Sequence, residues 1–349
     1  MAYTAIDKST EHFSTTLYTG NGTYPRAVTG IGFQPDFVWV KNRSVAYWHQ
    51  LYDAVRGTGT GGGVVYSNRP DAVDDTYKLN SFDSDGFTLP SALSAINGSG
   101  NNIVTWCWKG ANGTASNTAG DVTSTVSANP TAGISIVTAT TTATSGNTSI
   151  GHGLGKTPDV VFARNLVQGF NWDVWFRTKG YTSTIILNTN TGTGRTGFGS
   201  GTNDSDVFSA LYNYSAYNGQ KYLYLCFTSI KGFSKISQYT GNGSTDGPFI
   251  YTGFKPAFVM TKRSDGTGGD WAIMDNKRPN EFNVVQNYLK AHDVDVDQTG
   301  DSFNIDILSN GFKIRYNNTN YNAAGGVYQY LAFAENPFVT STGIPATAR

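Results

Sequence analysis

Two acid–base pairs recur at one spacing in this sequence: Asp53 with Arg56, and Asp275 with Arg278, each shortly after a tryptophan. A carboxylate three residues from a guanidinium can handle a proton or an anion, or it can brace a strand end through charge-assisted hydrogen bonds. Duplication favours the brace, because a single active site needs no second copy. Both pairs are therefore read as structural ion pairs. Asp71, Asp74, Asp75, Asp83 and Asp85 supply enough carboxylate for a glycosidase pair, whose members face each other across roughly 5–10 Å. Turn chemistry accounts for them more simply. Asp293-Val294-Asp295-Val296-Asp297 matches the opening of a calcium loop, but Gln298 stands where the loop needs glycine and Asn304 where it needs a bidentate glutamate. The Asp/Val alternation reads as a strand with one solvated acidic face.

Other chemistry finds little support. His12, His49, His152 and His292 lack the close His/Cys spacings of a zinc site. No Gly-x-Ser-x-Gly elbow occurs with a matching acid and base. The Gly57–Gly63 run leads into Val64-Val65 with no Lys-Ser/Thr behind it, so it reads as a loop between strands and not as a phosphate cradle. No metal and no cofactor is expected, and the chain is read as non-enzymatic. Tyr212, Tyr214, Tyr217, Tyr316 and Tyr321 lie in Gly/Asn-rich loops, the composition of an adaptable binding surface. They are the candidate binding residues, with half-buried tyrosines covering sandwich ends as the alternative.

The elements that must position these residues come in three copies. Gly32-Phe33-Gln34-Pro35-Asp36-Phe37-Val38-Trp39-Val40-Lys41-Asn42-Arg43 recurs at Gly153–Arg164 and again at Gly253–Arg263. In each copy a Gly-to-Pro turn opens a short run of β-branched and aromatic residues, and a cation ends it. Each copy closes on a matching strand, centred on Cys107, Cys226 and Ala332, which follow the initiating prolines by 72, 68 and 76 residues. A place that accepts Cys or Ala is a small buried packing position, so the two cysteines are read as packing thiols and not as a disulfide. Copy two keeps Trp172 and Arg177 but has no aspartate at the matching place.

This pattern predicts an all-β chain of three tandem related β-sandwich domains of a jelly-roll or lectin-like kind. The expected divisions are an N-terminal arm over 1–12, repeat 1 over 13–110, a Thr/Ser/Gly linker over 111–133, a divergent repeat 2 over 134–230, repeat 3 over 231–338 and a tail over 339–349. Charge is sparse at 14% and balanced to a net of zero, which disfavours nucleic acid as a partner. No stretch has the length and apolarity to insert in a membrane, and the start lacks a signal-peptide pattern, so synthesis in a cytosol is expected.

Several phrases together resemble a family of tailed-bacteriophage virion proteins common in phages of marine bacteria. They are Met1-Ala2-Tyr3-Thr4, Leu17-Tyr18-Thr19-Gly20-Asn21-Gly22, the Gly32–Arg43 stretch, Ser81-Phe82-Asp83-Ser84-Asp85-Gly86-Phe87, Trp106-Cys107-Trp108-Lys109, Tyr330–Phe338 and Gly343–Arg349. The resemblance covers copies one and three well and copy two weakly. It implies a virion location, a tail fibre or other appendage contacting a host-surface glycan, other virion proteins as partners, and a homo-oligomer such as a trimer. Capsid decoration without receptor binding and a polysaccharide depolymerase are the rival functions. No catalytic residue carries over.

Overall fold

The computed structural model describes residues 4–90, 93–141, 147–180, 184–194, 201–211, 219–266, 268–279, 283–300 and 303–336, and it is all-β with antiparallel sheets. Repeat 1 holds β1 (Phe13–Thr19), β2 (Arg26–Thr29), β3 (Phe37–Asn42), β4 (Gln50–Asp53), β5 (Val65–Tyr66), β6 (Ser81–Asp83), β7 (Gly86–Leu89) and β8 (Asn102–Trp108). Its large sheet runs β1-β8-β3-β4-β5 and its small sheet β2-β7-β6.

Repeat 2 holds β9 (Ala115–Asn117), β10 (Ser124–Asn129), β11 (Ile134–Thr140), β12 (Asn147–Gly151), β13 (Val160–Asn165), β14 (Asp173–Phe176), β15 (Ile185–Ile186), β16 (Val207–Leu211) and β17 (Lys221–Phe227). Repeat 3 holds β18 (Ser234–Thr240), β19 (Phe249–Tyr251), β20 (Lys255–Arg263), β21 (Ala272–Asp275), β22 (Leu289–Lys290), β23 (Ile305–Leu308), β24 (Gly311–Ile314) and β25 (Val327–Asn336). Their large sheets repeat the first: β15-β14-β13-β17-β11, extended by β10 and β9, and β18-β25-β20-β21-β22.

Register confirms the equivalence of the copies residue by residue. Phe37 faces Trp108, Val160 faces Phe227, and Phe258 faces Phe333; one step on, Cys107, Cys226 and Ala332 face Val38, Val161 and Val259. β3 and β13 are buried along their whole length because both of their faces are covered. Val38 and Val40 point outward under the small sheet of repeat 1, with Phe87 and Cys107. Phe37 and Trp39 point the other way, into a core built jointly by all three repeats.

That shared core is what the sequence did not reveal. At its centre Trp108, Phe227 and Phe333, one from each repeat, close on one another edge to face, with centroids 6.1, 5.6 and 5.8 Å apart. The three large sheets thus pack around a pseudo-threefold axis. An apolar void of about 20 Å³ lies between them, lined by side chains such as Phe37, Leu225 and Leu331. It has no polar wall to hold a water.

One expected division changes. The 111–133 stretch, read as a linker for its Thr/Ser/Gly content, instead forms β9 and β10, and β10 pairs with β11 from Ser124 to Asn129. Polar residues suffice there because these strands extend an edge and need bury only one side. The N-terminal arm is docked, with Ile6 buried in the shared core. The 339–349 tail lies outside the described residues.

Candidate functional site

Both acid–base pairs are buried braces. Arg56 Nε donates to Asp53 Oδ2 at 2.5 Å and Arg278 Nε to Asp275 Oδ2 at 2.6 Å, with side chains no more than 1% exposed. In each, the arginine backbone N–H also donates to Oδ1 at 2.9 Å. The aspartate thereby satisfies a turn and a guanidinium together, at the end of β4 or β21. In repeat 2 the register puts Phe176 opposite Val160, where Asp53 and Asp275 stand opposite Phe37 and Phe258. The position three residues on is Lys179, not Arg177, and Arg177 pairs with Asp159.

The brace of repeat 3 reaches across to repeat 1. Arg278 Nη1 donates to Asp297 Oδ1 at 2.8 Å, Arg43 Nε donates to Asp297 Oδ2 at 2.6 Å, and Trp106 Nε1 donates to Asp275 Oδ2 at 3.1 Å. The Asp293–Asp297 segment is accordingly not the strand its alternation suggests. It lies along the seam with repeat 1, where Lys41 Nζ donates to the Val294 carbonyl at 2.9 Å. Among the described residues no group of three or more His, Cys, Asp or Glu could hold a metal ion.

One buried cation per repeat occupies the same register position: Lys41, Arg164 and Lys262, opposite Val104, Leu223 and Gln329. All three are buried and reach backbone carbonyls, Lys41 those of Asn42, Tyr47 and Val294, Arg164 that of Phe170, and Lys262 that of Gly269. Desolvation lowers their proton affinity, to about 8 for Lys41, about 10 for Arg164 and about 7 for Lys262. Carbonyl dipoles replace a carboxylate partner. Of the three, only Lys41 crosses a seam, through the Val294 carbonyl; Arg164 and Lys262 brace their own repeats.

The aspartates considered for glycoside chemistry serve turns. Asp85 accepts from the backbone N–H groups of Gly30 and Gly32 at 3.0 and 2.6 Å, and Asp83 accepts from Ser81 and Thr88 hydroxyls at 2.6 Å each. Asp75 accepts from the N–H groups of Gly61 and Gly63, which folds the glycine-rich run onto it. Of the candidate tyrosines, Tyr212, Tyr214 and Tyr217 lie outside the described residues. Tyr321 is buried, packed on Phe303 with its hydroxyl donating to Asp270 Oδ2 at 3.2 Å, so it belongs to the core and not to a contact surface. Its place on a short helix, Thr319–Asn322, turns it inward. Tyr316 is half-buried, just past β24.

The surface feature that the tyrosine reading missed lies on β19, which pairs with β24. Phe249 and Tyr251 flank inward-facing Ile250 on β19 and are 46% and 61% exposed. Alternation puts both rings on the outer face of the β19-β24-β23 sheet, roughly 7 Å apart along the strand. Lys313 pairs with Phe249 in register and donates to Asp246 at 2.7 Å, and Arg315 lies 3.4 Å from Asp306. Two apolar rings beside anchored charges can stack a flat ring and hydrogen-bond its rim. The equivalent places hold Ala27 and Thr29 in repeat 1 and Ser149 and Gly151 in repeat 2. That contrast between copies was the signal available in the sequence. Trp48, also exposed, has its ring covered by the Arg69 guanidinium at 3.8 Å.

A family model described as a domain of unknown function, DUF7483, matches residues 8–337, which takes in all three repeats as one unit. The chain belongs to the DUF7483 family. No curated protein and no solved structure matches it significantly. The extent of the family unit agrees with the single shared core of this DUF7483 member, in which no one repeat is complete alone.

Proposed function

We propose that this chain is a non-enzymatic bacteriophage virion component, displayed as a tail fibre or similar appendage and touching a host-surface glycan. The observation that carries the contact is the exposed Phe249–Tyr251 pair beside the Asp246–Lys313 and Asp306–Arg315 pairs. A sugar offers one apolar face and a rim of hydroxyls, which such a surface can meet. The resemblance of several phrases to phage virion proteins supplies the setting. Three repeats around one axis support a body that is complete as a single chain, and mass photometry showing a trimer would favour assembly by copies instead.

The test is a pull-down of the purified protein on intact candidate host cells, with and without periodate oxidation of their surface. Periodate-sensitive binding that Phe249→Ala with Tyr251→Ala abolishes supports the reading. Absence of binding to every permissive host would turn the proposal to capsid decoration without receptor contact.

A further inference from the structure

The three repeats differ in what lies against the first strand of each large sheet. In repeat 2, β10 covers the edge of β11, with Ser127 paired to Ile136. In repeat 3, Ser229 covers the edge of β18, its hydroxyl accepting from Ile236 N–H at 3.0 Å and donating to Ile236 carbonyl at 3.4 Å. The same register position in repeat 1 is Thr15, which faces Trp106 as Ile136 faces Leu225 and Ile236 faces Leu331. Among the described residues β1 pairs only with β8, and no backbone group is hydrogen-bonded to its other edge.

The substitutions that open this edge are visible. Asp36 and Asp159 accept the backbone N–H groups of Gly110 and Ser229, both at 2.7 Å, and so hold the chain close to the neighbouring strand edge. Their counterpart in repeat 3 is Ala257, with no carboxylate. The counterpart of Ser229 is Glu335, which turns away to Lys255 at 2.8 Å. What remains is a groove of about 470 Å³ lined by Ser14, Thr15, Thr16, Ala257, Asn276 and Glu335, among others. Thr15 Oγ1 and Asn276 Oδ1 are buried there without a hydrogen-bond partner.

We propose that this groove is a β-augmentation site that takes one extended segment of another polypeptide, added antiparallel to β1. The fold itself specifies the occupant's chemistry, because β10 fills the equivalent place: a short Ser/Thr/Val strand with a small hydroxyl residue opposite Thr15. Backbone pairing supplies the affinity, and the hydroxyl residues Ser14, Thr15 and Thr16 along the groove favour a polar occupant. The inference holds whether or not the glycan reading does.

The probe is a fluorescent peptide of residues 121–130 of this chain, with a scrambled peptide as control. Saturable binding is expected for the native sequence, with new hydrogen-exchange protection at the Thr15 amide. Thr15→Pro removes the outward N–H while leaving the ladder to β8 intact, and should weaken binding by about tenfold or more. Ser14→Trp, which fills the groove by bulk, is the second variant, and melting curves check that both fold. Binding unchanged in both folded variants, or no binding at all, overturns the proposal. Binding seen only after truncation at Asn336 would overturn it in favour of the chain's own tail. Self-association that Thr15→Pro abolishes would overturn it in favour of a second copy.

Discussion

The indole N–H of Trp172 donates to the carbonyl of Tyr66 at 2.8 Å, so that a side chain of repeat 2 closes on the edge strand of repeat 1. Trp271 repeats the act one step around the axis, donating to Ile186 of repeat 2 at 2.8 Å. At the third seam the position holds His49, which takes the indole of Trp39 on Nδ1 at 2.9 Å and lies near the Lys290 carbonyl. The relation weakens there, since His49 Nε2 makes no hydrogen bond. Two seams are tied by Trp172 and Trp271, and the third by the Arg43–Asp297–Arg278 network together with the Trp106 indole on Asp275.

One consequence is cooperative unfolding. Urea denaturation followed by tryptophan fluorescence and by far-UV circular dichroism should give coincident transitions, and a fragment of residues 1–110 should not fold, because Phe37, Trp39 and Trp108 would lose their cover. Non-coincident transitions would mean that the repeats stand alone. Trp172→Phe should cost about 1–2 kcal/mol, by leaving the Tyr66 carbonyl unpaired in a buried seam.

The braces should be costly to break. Asp275→Ala leaves the wholly buried Arg278 guanidinium with only Asp297 as a charged partner and also frees the Trp106 N–H, for an expected loss of about 3–5 kcal/mol. Asp53→Ala should fall toward the lower end, since Asp53 has no indole to satisfy. Equilibrium denaturation of both variants checks the order.

Lys262 gives a pH signature. Burial lowers its folded-state value to about 7, below the ordinary lysine value of 10.5. Between those limits the unfolded chain holds more protons than the folded one, so stability rises with pH across the window. Below about pH 7 both states are protonated and the cost of the buried charge is fully present. Lys262→Met should therefore stabilise the protein most below pH 7, by roughly 1–3 kcal/mol, with the gain shrinking toward pH 10. Denaturation midpoints at pH 6 and pH 9 give the comparison, and a gain that grows with pH would contradict it.

The thiols should be inert while the chain is folded. Cys107 and Cys226 are free and fully buried, and burial pushes the Cys107 thiol up to about 12 and the Cys226 thiol higher still. An aromatic disulfide reagent should label neither under native conditions and both in urea. Cys107→Ala and Cys226→Ala should each cost no more than about 1–2 kcal/mol, because the same place in repeat 3 is already Ala332.

Strand identity and register were legible in the sequence, because Pro35, Pro158 and Pro256 and the Cys/Ala positions mark equivalent places in short apolar runs. The shared core was not. A run such as Phe37-Val38-Trp39-Val40 signals burial on both faces, and nothing in its composition says whether the second face meets its own sandwich or two other repeats. The 111–133 stretch failed for the opposite reason, since an edge strand with one wet side needs little apolar content. Tyr321 misled because polar neighbours in sequence, Asn320 and Asn322, are themselves satisfied inside the fold, Asn322 by Asn242, Ser244 and Tyr316. Phe249 and Tyr251 become visible only when the copies are compared with one another.

The Phe249–Tyr251 pair occurs on one of three lobes. A ring of three identical subunits would present such a surface three times, and its grip on a cell would multiply accordingly. With the three repeats joined in one chain they need not be alike, and if the proposed glycan contact holds, each chain carries one such surface. On that reading firm attachment requires several copies of the whole chain held close together, and the spacing between copies, more than the strength of any single contact, would govern the avidity.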